Sequence, residues 1–450
     1  MTPFTILPDQ LVGQPARPPG PRDWHRVESG GQNYLFVVDG SRVFRLDPLK
    51  WREFAAAEER GANDALDKFG IAPLTAISDQ PLTSHPIRSL SLAVSQKCNL
   101  ACTYCYAGGG SFGEPARNMP FEVAAAAVER LFADVSPGEK VNLSFIGGEP
   151  LVNREVLRAA TEAAVTKARL SGVRLGLAVT TNATLLAPDD GDFFERHGFS
   201  VTVSLDGIGN SHDQLRPFKD GRGSFATILD RARPLLASQR KMQVSARVTV
   251  TPRNIRLRET LDQLIAFGFH SVGFSPMLSS PTGNDEMHSA GLNAMLEQMI
   301  ECGHRTEHAV VAGRRYPFSN LVTALEQLHR GTHRPYPCGA GAGYFGVSAD
   351  GHLSACHRFV NDPAGAMGDL DLGVDHDLQS RWLSQRHVHS QLPCRDCWAR
   401  YLCGGGCHHE VIHRGRPACD YIRGWLHYCL EAYGRLSASR PDYFAMADRD

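Results

Sequence analysis

The chain has 450 residues, 42% hydrophobic and 21% charged, with a formal net charge of −1. That is enough apolar material for a large core without disulfide staples, and no charge excess marks a nucleic-acid or acidic-surface binder. No apolar run approaches the roughly 18 residues of a membrane span, and the N-terminus MTPFTILPDQ lacks a basic-then-apolar secretory pattern, so a cytoplasmic protein without membrane or nucleic-acid partners is expected.

Residues 1–24, rich in proline over PDQLVGQPARPPGPR, read as a flexible arm. Residues 25–86 read as a small module. YLFVVDGSRVFRLD (34–47) is two β-rich runs around an Asp-Gly-Ser turn, and KWREFAAAEERGANDALDKF (50–69) has helical composition. Residues 87–285 alternate strand and helix. Strands are predicted at 90–95, 140–146, 174–180, 199–205, 243–250 and 270–275, and helices at 120–134 (opened by Pro120), 154–171 and 257–267. Six strands alternating with helices argue for an α/β fold, a parallel sheet curled into a partial (β/α)6 barrel. Chemistry in such barrels gathers at the carboxyl ends of the strands. Residues 286–330 read as bridging helices. Residues 331–450 are loop-rich, with glycines at 339, 341, 343, 346, 351 and 404–406. A region with so little core of its own suits organisation by metal.

Of 12 cysteines, three lie at 98–105 and eight between Cys338 and Cys429; only Cys302 stands apart. In a reducing compartment such clustering points to metal or chemistry rather than disulfides. The loop SQKCNLACTYCY follows the first strand. Cys98, Cys102 and Cys105 in one loop can hold three irons of a [4Fe–4S] cube and leave the fourth without a protein ligand. A zinc knot would want a fourth ligand, and none is obvious within the loop.

CNLACTYCY resembles the signature of the radical S-adenosylmethionine superfamily, including Tyr104 before the third cysteine. Three further segments match in order. FIGGEP (145–150) ends the second strand; in the family the Gly147-Gly148-Glu149 backbone and carboxylate bind the methionine amino group of S-adenosyl-L-methionine. TTNATLL (180–186) puts Asn182 where ribose contacts are expected. VSLDG (203–207) supplies Ser204, which with Arg247 resembles the pair that binds the cofactor's carboxylate and ribose. The resemblance implies cleavage of S-adenosylmethionine to a 5′-deoxyadenosyl radical, which takes a hydrogen atom from a substrate carbon.

The C-terminal cysteines resemble the SPASM extension of peptide-modifying radical enzymes, which carries two auxiliary [4Fe–4S] clusters; a zinc ribbon is the bland reading. By that resemblance Cys338, Cys356 and Cys407 hold the first auxiliary cluster. Cys394, Cys397 and Cys403 hold the second, completed by Cys419, with Cys429 a possible substitute or spare. Relatives carry another cysteine shortly after the first; here GAGAGYFG has none, so either one iron is open to a substrate thiolate or Cys429 or a rearranged loop closes the site. Sulfatase-maturing relatives place a catalytic Asp after the cysteine that corresponds to Cys356. This chain has His357, which reads either as a base or as a hydrogen-bond donor beside the cluster.

CWARYLCGGGCHHEV and CDYIRGWLHYCLEAY resemble the thioether-forming peptide maturases. These include the enzymes of six-cysteine peptides and those acting on the small subunit of quinohaemoprotein amine dehydrogenase. That implies Cys-to-carbon crosslinking in a polypeptide with a leader segment, with electrons from a flavodoxin or ferredoxin. Competing readings are a formylglycine-forming oxidase, another crosslinking or epimerising peptide enzyme, and a non-enzymatic cluster carrier. The 25–86 module resembles leader-recognition domains, or else is a packing appendage.

Overall fold

The computed structural model describes residues 23–59, 65–71, 77–78 and 80–445. The proline-rich arm and part of the segment that follows α1 (below) lie outside them.

The described chain opens with β1 (Trp24–Ser29), β2 (Gln32–Val37) and β3 (Arg42–Leu46), an antiparallel sheet in that order, followed by α1 (Pro48–Glu59) and α2 (Ala65–Lys68). The 34–47 hairpin is present as β2 and β3, with Val37 opposite Arg42. β1 is an additional strand. Gly30 and Gly31 join it to β2, both with positive φ (59° and 70°), the conformation a two-residue hairpin turn demands. Alternation along β2 divides its side chains. Leu35 and Val37 pack with Phe44 and Phe54 beneath α1, whereas Tyr34 and Phe36 join the main core.

The central unit is β4 (Ser89–Ser95), α3 (Phe121–Leu131), β5 (Lys140–Gly147), α4 (Arg154–Ser171), β6 (Arg174–Thr181), α5 (Pro188–His197), β7 (Ser200–Ser204), α6 (Asn210–Asp213), α7 (Phe225–Ala237), β8 (Gln243–Val250), α8 (Leu257–Ala266) and β9 (Val272–Pro276). The strands β4 to β9 pair in sequence order and all in parallel, the order a partial (β/α)6 barrel requires. Pro120 is the N-cap of α3, in an extended conformation, rather than its first helical residue. The region read as bridging helices contains α9 (Ser289–Val311) and α10 (Ser319–His329).

The C-terminal region is β10 (Tyr344–Val347), β11 (His352–Ser354), β12 (Ala366–Asp369), β13 (Gly373–Val374), α11 (His376–Arg386), α12 (Arg400–Cys403), α13 (His408–Arg414) and α14 (Cys419–Ser439). It is loop-rich between these elements but not a separate body. β10 pairs in parallel with β4, so one sheet of ten strands runs from β13 to β9. At the far edge, Trp425 of α14 packs edge-on against Phe318, which itself touches Phe274 of β9. The C-terminal segment thus joins the first and last strands of the partial barrel. Among the described residues no helix is long and apolar enough to cross a membrane.

Candidate active site and thiol centres

The loop from Cys98 to Cys105 leaves the carboxyl end of β4 and is clamped from outside. Ala101 N–H donates to Pro217 C=O (2.9 Å) and Thr103 N–H to Leu215 C=O (3.0 Å), a short antiparallel pairing with the segment after α6. The three thiols face one another. Burial pushes the Cys102 thiol up to about 12, and the charges of Cys105 and Cys98 add to it, while Cys98 is raised by burial and by Glu149 and Cys105. Convergent thiols that resist ionisation alone are suited to a cationic centre, which holds them as thiolates. The Gly108–Gly110 turn closes on them: a Cβ at Gly110 would stand 2.8 Å from Gly148 Cα and 2.9 Å from Cys98 Cβ. Gly147 and Gly148 are equally confined, their added Cβ atoms falling 2.2 Å from Ser95 C=O and 2.4 Å from Lys97 C=O. These glycines let the end of β5 press against the thiol loop.

Glu149 is fully buried, and its carboxylate is already engaged. Oε1 accepts from Thr181 Oγ1 (2.7 Å) and Leu151 N–H (3.0 Å), and Oε2 accepts from Asn182 N–H (2.7 Å). Its side chain locks the ends of β5 and β6 together. Asn182 is likewise held. Its Nδ2 reaches Asn99 Oδ1 (2.9 Å) and Cys98 Sγ (3.8 Å), and its Oδ1 accepts from Thr184 N–H and Oγ1 (2.9 and 2.6 Å).

Ser204 and Arg247 are register partners on β7 and β8. Arg247 is in turn paired with Gly273 on β9, and that missing side chain lets the guanidinium cross to donate to Ser275 Oγ. Tyr421, in the first turn of α14, lies near the same guanidinium, so the C-terminal region approaches β8.

Tyr104 is fixed by a network that its motif does not reveal. Its hydroxyl donates to Asp206 Oδ2 and accepts from Arg216 Nη1 (2.8 Å). Asp206, wholly buried, also accepts from Thr249 N–H at 2.8 Å. Burial pushes the Asp206 carboxyl up, and Arg216 opposes that shift. Arg216 also lies close to Cys102, so one buried guanidinium serves both the thiol loop and the β7 end. The sequence signal was the Asp of VSLDG, directly past an apolar strand.

The remaining cysteines form two further sets. Cys394, Cys397, Cys403 and Cys419 are mutually close: burial lifts Cys394 to about 11, with contributions from Cys403, Cys419 and Cys397. They line one cavity together with Arg416 and Cys407. Cys338, Cys356 and Cys407 form the third set. Burial raises Cys356 to about 12, with Cys407 and Cys338 adding to it, whereas Cys338 and Cys407 are solvent-exposed. Cys429 joins neither. It is fully buried on α14, ten residues beyond Cys419 and so about 15 Å along the helix axis, and its charged neighbour is Glu307. This position supports reading Cys429 as the spare rather than as a replacement for Cys419.

Tyr344 stands beside Cys356 and Cys338, and its hydroxyl meets His357 Nδ1 at 2.5 Å. Burial, followed by Arg358, lowers His357 to about 4, so it is neutral near pH 7. Tyr106 lies near both Cys105 and Cys356, and its ring is 6.2 Å from that of His357. The first thiol set and the three-thiol set therefore share one aromatic wall.

Residues 92–264 match the model of the Radical SAM superfamily. The chain is similar to the serine-type anaerobic sulfatase-maturating enzyme of Klebsiella aerogenes, 26% identical over 367 residues, covering 78% of this chain and 86% of that protein. It is also similar to the cysteine-type enzyme of Clostridium novyi, 25% identical over 352 residues, covering 71% and 88%. The fold matches the structure of anSMEcpe with bound AdoMet and Cp18Cys peptide at a TM-score of 0.63 and 19% identity, covering 78% of this chain and 99% of that one.

Proposed function

We propose that this radical SAM chain is a peptide or protein maturase that joins a cysteine sulfur of its substrate to a substrate carbon as a thioether. The observation that carries this reading is the Cys338, Cys356 and Cys407 set. It has three thiols, Cys338 and Cys356 each acted on by at least one other member of the set, and Tyr344 occupies the stretch where a cysteine is missing. The convergent sulfur donors fit iron–sulfur clusters at all three sets: three ligands beside the barrel, four in the Cys394 set and three in the Cys338 set.

When bound, the first cluster and S-adenosylmethionine supply the carbon radical that removes a hydrogen atom from the substrate. Ser204 and Arg247 would hold the cofactor's carboxylate and ribose, and the Gly147-Gly148-Glu149 backbone and carboxylate its amino group. Tyr104, pinned by Asp206 and Arg216, keeps the thiol loop in one geometry. Cys338, Cys356 and Cys407 would hold the cluster that takes the substrate thiol, beside Tyr106 and His357. One C–H and one S–H bond are consumed and one C–S bond forms. The hydrogen atom would pass to the cofactor-derived radical, the thiol proton to bulk water, and the remaining electron would be taken up by the clusters that these thiols would hold.

The substrate class is a small cysteine-containing polypeptide with a leader, such as the small subunit of quinohaemoprotein amine dehydrogenase. The β3 edge is the docking strand for the leader: among the described residues both β1 and β3 pair only with β2, and β1 is packed against α14. For the electron donor, an open groove beside Cys98 is lined by Lys97 and Lys219, which suits an acidic flavodoxin or ferredoxin.

A formylglycine-forming oxidase is the second reading, favoured by the names of the relatives. Against it stands His357, tied through Nδ1 to Tyr344 where those enzymes use an Asp base. Electron paramagnetic resonance of the reduced enzyme tests the thiolate site. A cysteine peptide shifts an auxiliary signal, a serine version leaves it unmoved, and the shift is absent in Cys407→Ala. A shift that survives Cys407→Ala contradicts the assignment.

A further inference from the structure

We propose that Asp362, His409 and His413 bind one divalent transition-metal ion, outside the three thiol sets. His409 and His413 are four residues apart on α13, so they rise from one face of that helix, and their rings lie 4.6 Å apart. Asp362 comes from the turn after Cys356. Its Oδ1 accepts from Ala364 N–H (2.9 Å), and its Oδ2 meets His413 Nε2 at 2.7 Å. One donor atom from each of the three residues lies within 4.8 Å of the others.

A second observation points to a ligand. Nδ1 of His409 is buried and has no hydrogen-bond partner among the described residues, an arrangement that costs free energy unless something else meets the ring. Phe359 walls the site, 5.0 Å from the His409 ring, while His413 stays half-exposed and leaves an open approach for water. Arg358, a nearby cation, is paired with Glu410 and lies over the Tyr106 ring at 5.3 Å.

Two imidazoles and a carboxylate match zinc or ferrous iron, with at least one coordination position left open. Binding replaces the His413–Asp362 hydrogen bond by two metal bonds. The ion thereby pins the turn after Cys356 to the helix that begins after Cys407, bracing two ligand segments of the three-thiol set.

The test is Zn2+ binding to the anaerobically reconstituted, chelator-washed full chain, with zinc, iron and sulfide measured together. Wild type takes up one zinc per chain above His413→Asn and Asp362→Asn, and the variants bind that ion about tenfold or more weakly. Iron and sulfide are equal in all three, which shows that the thiol sets are intact. His413→Asn alters an exposed side chain and serves if Asp362→Asn fails to fold. Equal zinc uptake and affinity in wild type and His413→Asn overturns the proposal and leaves a hydrogen-bonded cluster only.

Discussion

The imidazole of His25 lies flat on the indole of Trp398, with centroids 3.8 Å apart and planes 4° from parallel. His25 belongs to β1 of the N-terminal sheet, and Trp398 directly follows a ligand of the four-thiol set. Asp23 and Arg400 add an ion pair across the same joint, and Phe36 meets the indole edge-on at 6.2 Å. The proposed leader-docking sheet is therefore seated on a thiol centre rather than hung from the barrel. Removing the indole by Trp398→Ala deletes this seat. The expected cost is about 3 kcal/mol or more, read as a lower denaturation midpoint together with loss of iron from the auxiliary sites and not from the first.

The same joint is pH-sensitive. His25 is lowered from 6.5 to about 4, by burial first and then by His427, whose ring it meets at 2.8 Å. A depressed histidine binds its proton more readily in the unfolded chain, so stability falls as pH drops from 6.5 towards 4. His25→Phe keeps the stack and removes the titration. Thermal midpoints measured across that window fall less steeply in the variant.

The cysteines separate by iron content. Alanine at Cys98, Cys102 or Cys105 abolishes 5′-deoxyadenosine formation and removes the first cluster's iron. Cys419→Ala removes iron from the four-thiol set. Cys429→Ala leaves iron and sulfide unchanged and costs only stability, about 1 kcal/mol.

Arg216 carries more than its distance from the thiol loop suggests. Arg216→Met strands the buried Asp206 carboxylate and frees Tyr104, at an expected cost of about 3–5 kcal/mol. Asp206→Asn retains a hydrogen-bonding group for Tyr104 and is milder. Denaturant midpoints rank the two, and the first-cluster signal broadens in the Arg216 variant.

Charge reversal at the groove beside Cys98 tests donor docking. Lys97→Glu with Lys219→Glu raises the KM for a flavodoxin and flattens its salt dependence, while turnover driven by dithionite is unchanged.

The barrel was legible because its strands are apolar runs or apolar–polar alternations between turn residues, such as LSLAV and QVSARVTV, and four motifs fall at their ends. β1 escaped because WHRVES is largely polar, although Gly30-Gly31 before QNYLFV is itself a hairpin signal. The pairing of β10 with β4 escaped because it joins residues some 250 positions apart, with nothing local to announce it. The Tyr104–Asp206–Arg216 network spans 112 residues and is hidden for the same reason. Cys429 is different: on one helix, ten residues from Cys419, it was already too far away to share that site. The three donors that converge on the Glu149 carboxylate, from Leu151, Thr181 and Asn182, were likewise invisible in the motif.

The most direct test of the thioether account is tandem mass spectrometry of a cysteine-containing leader peptide after anaerobic turnover with S-adenosylmethionine and reductant. The account predicts a product lighter by two hydrogens, with its sulfur retained, one cysteine closed to alkylation, and fragments joined from that cysteine to a carbon. A product that has lost sulfur, or gained a hydrazide-reactive aldehyde with every remaining cysteine alkylatable, contradicts it.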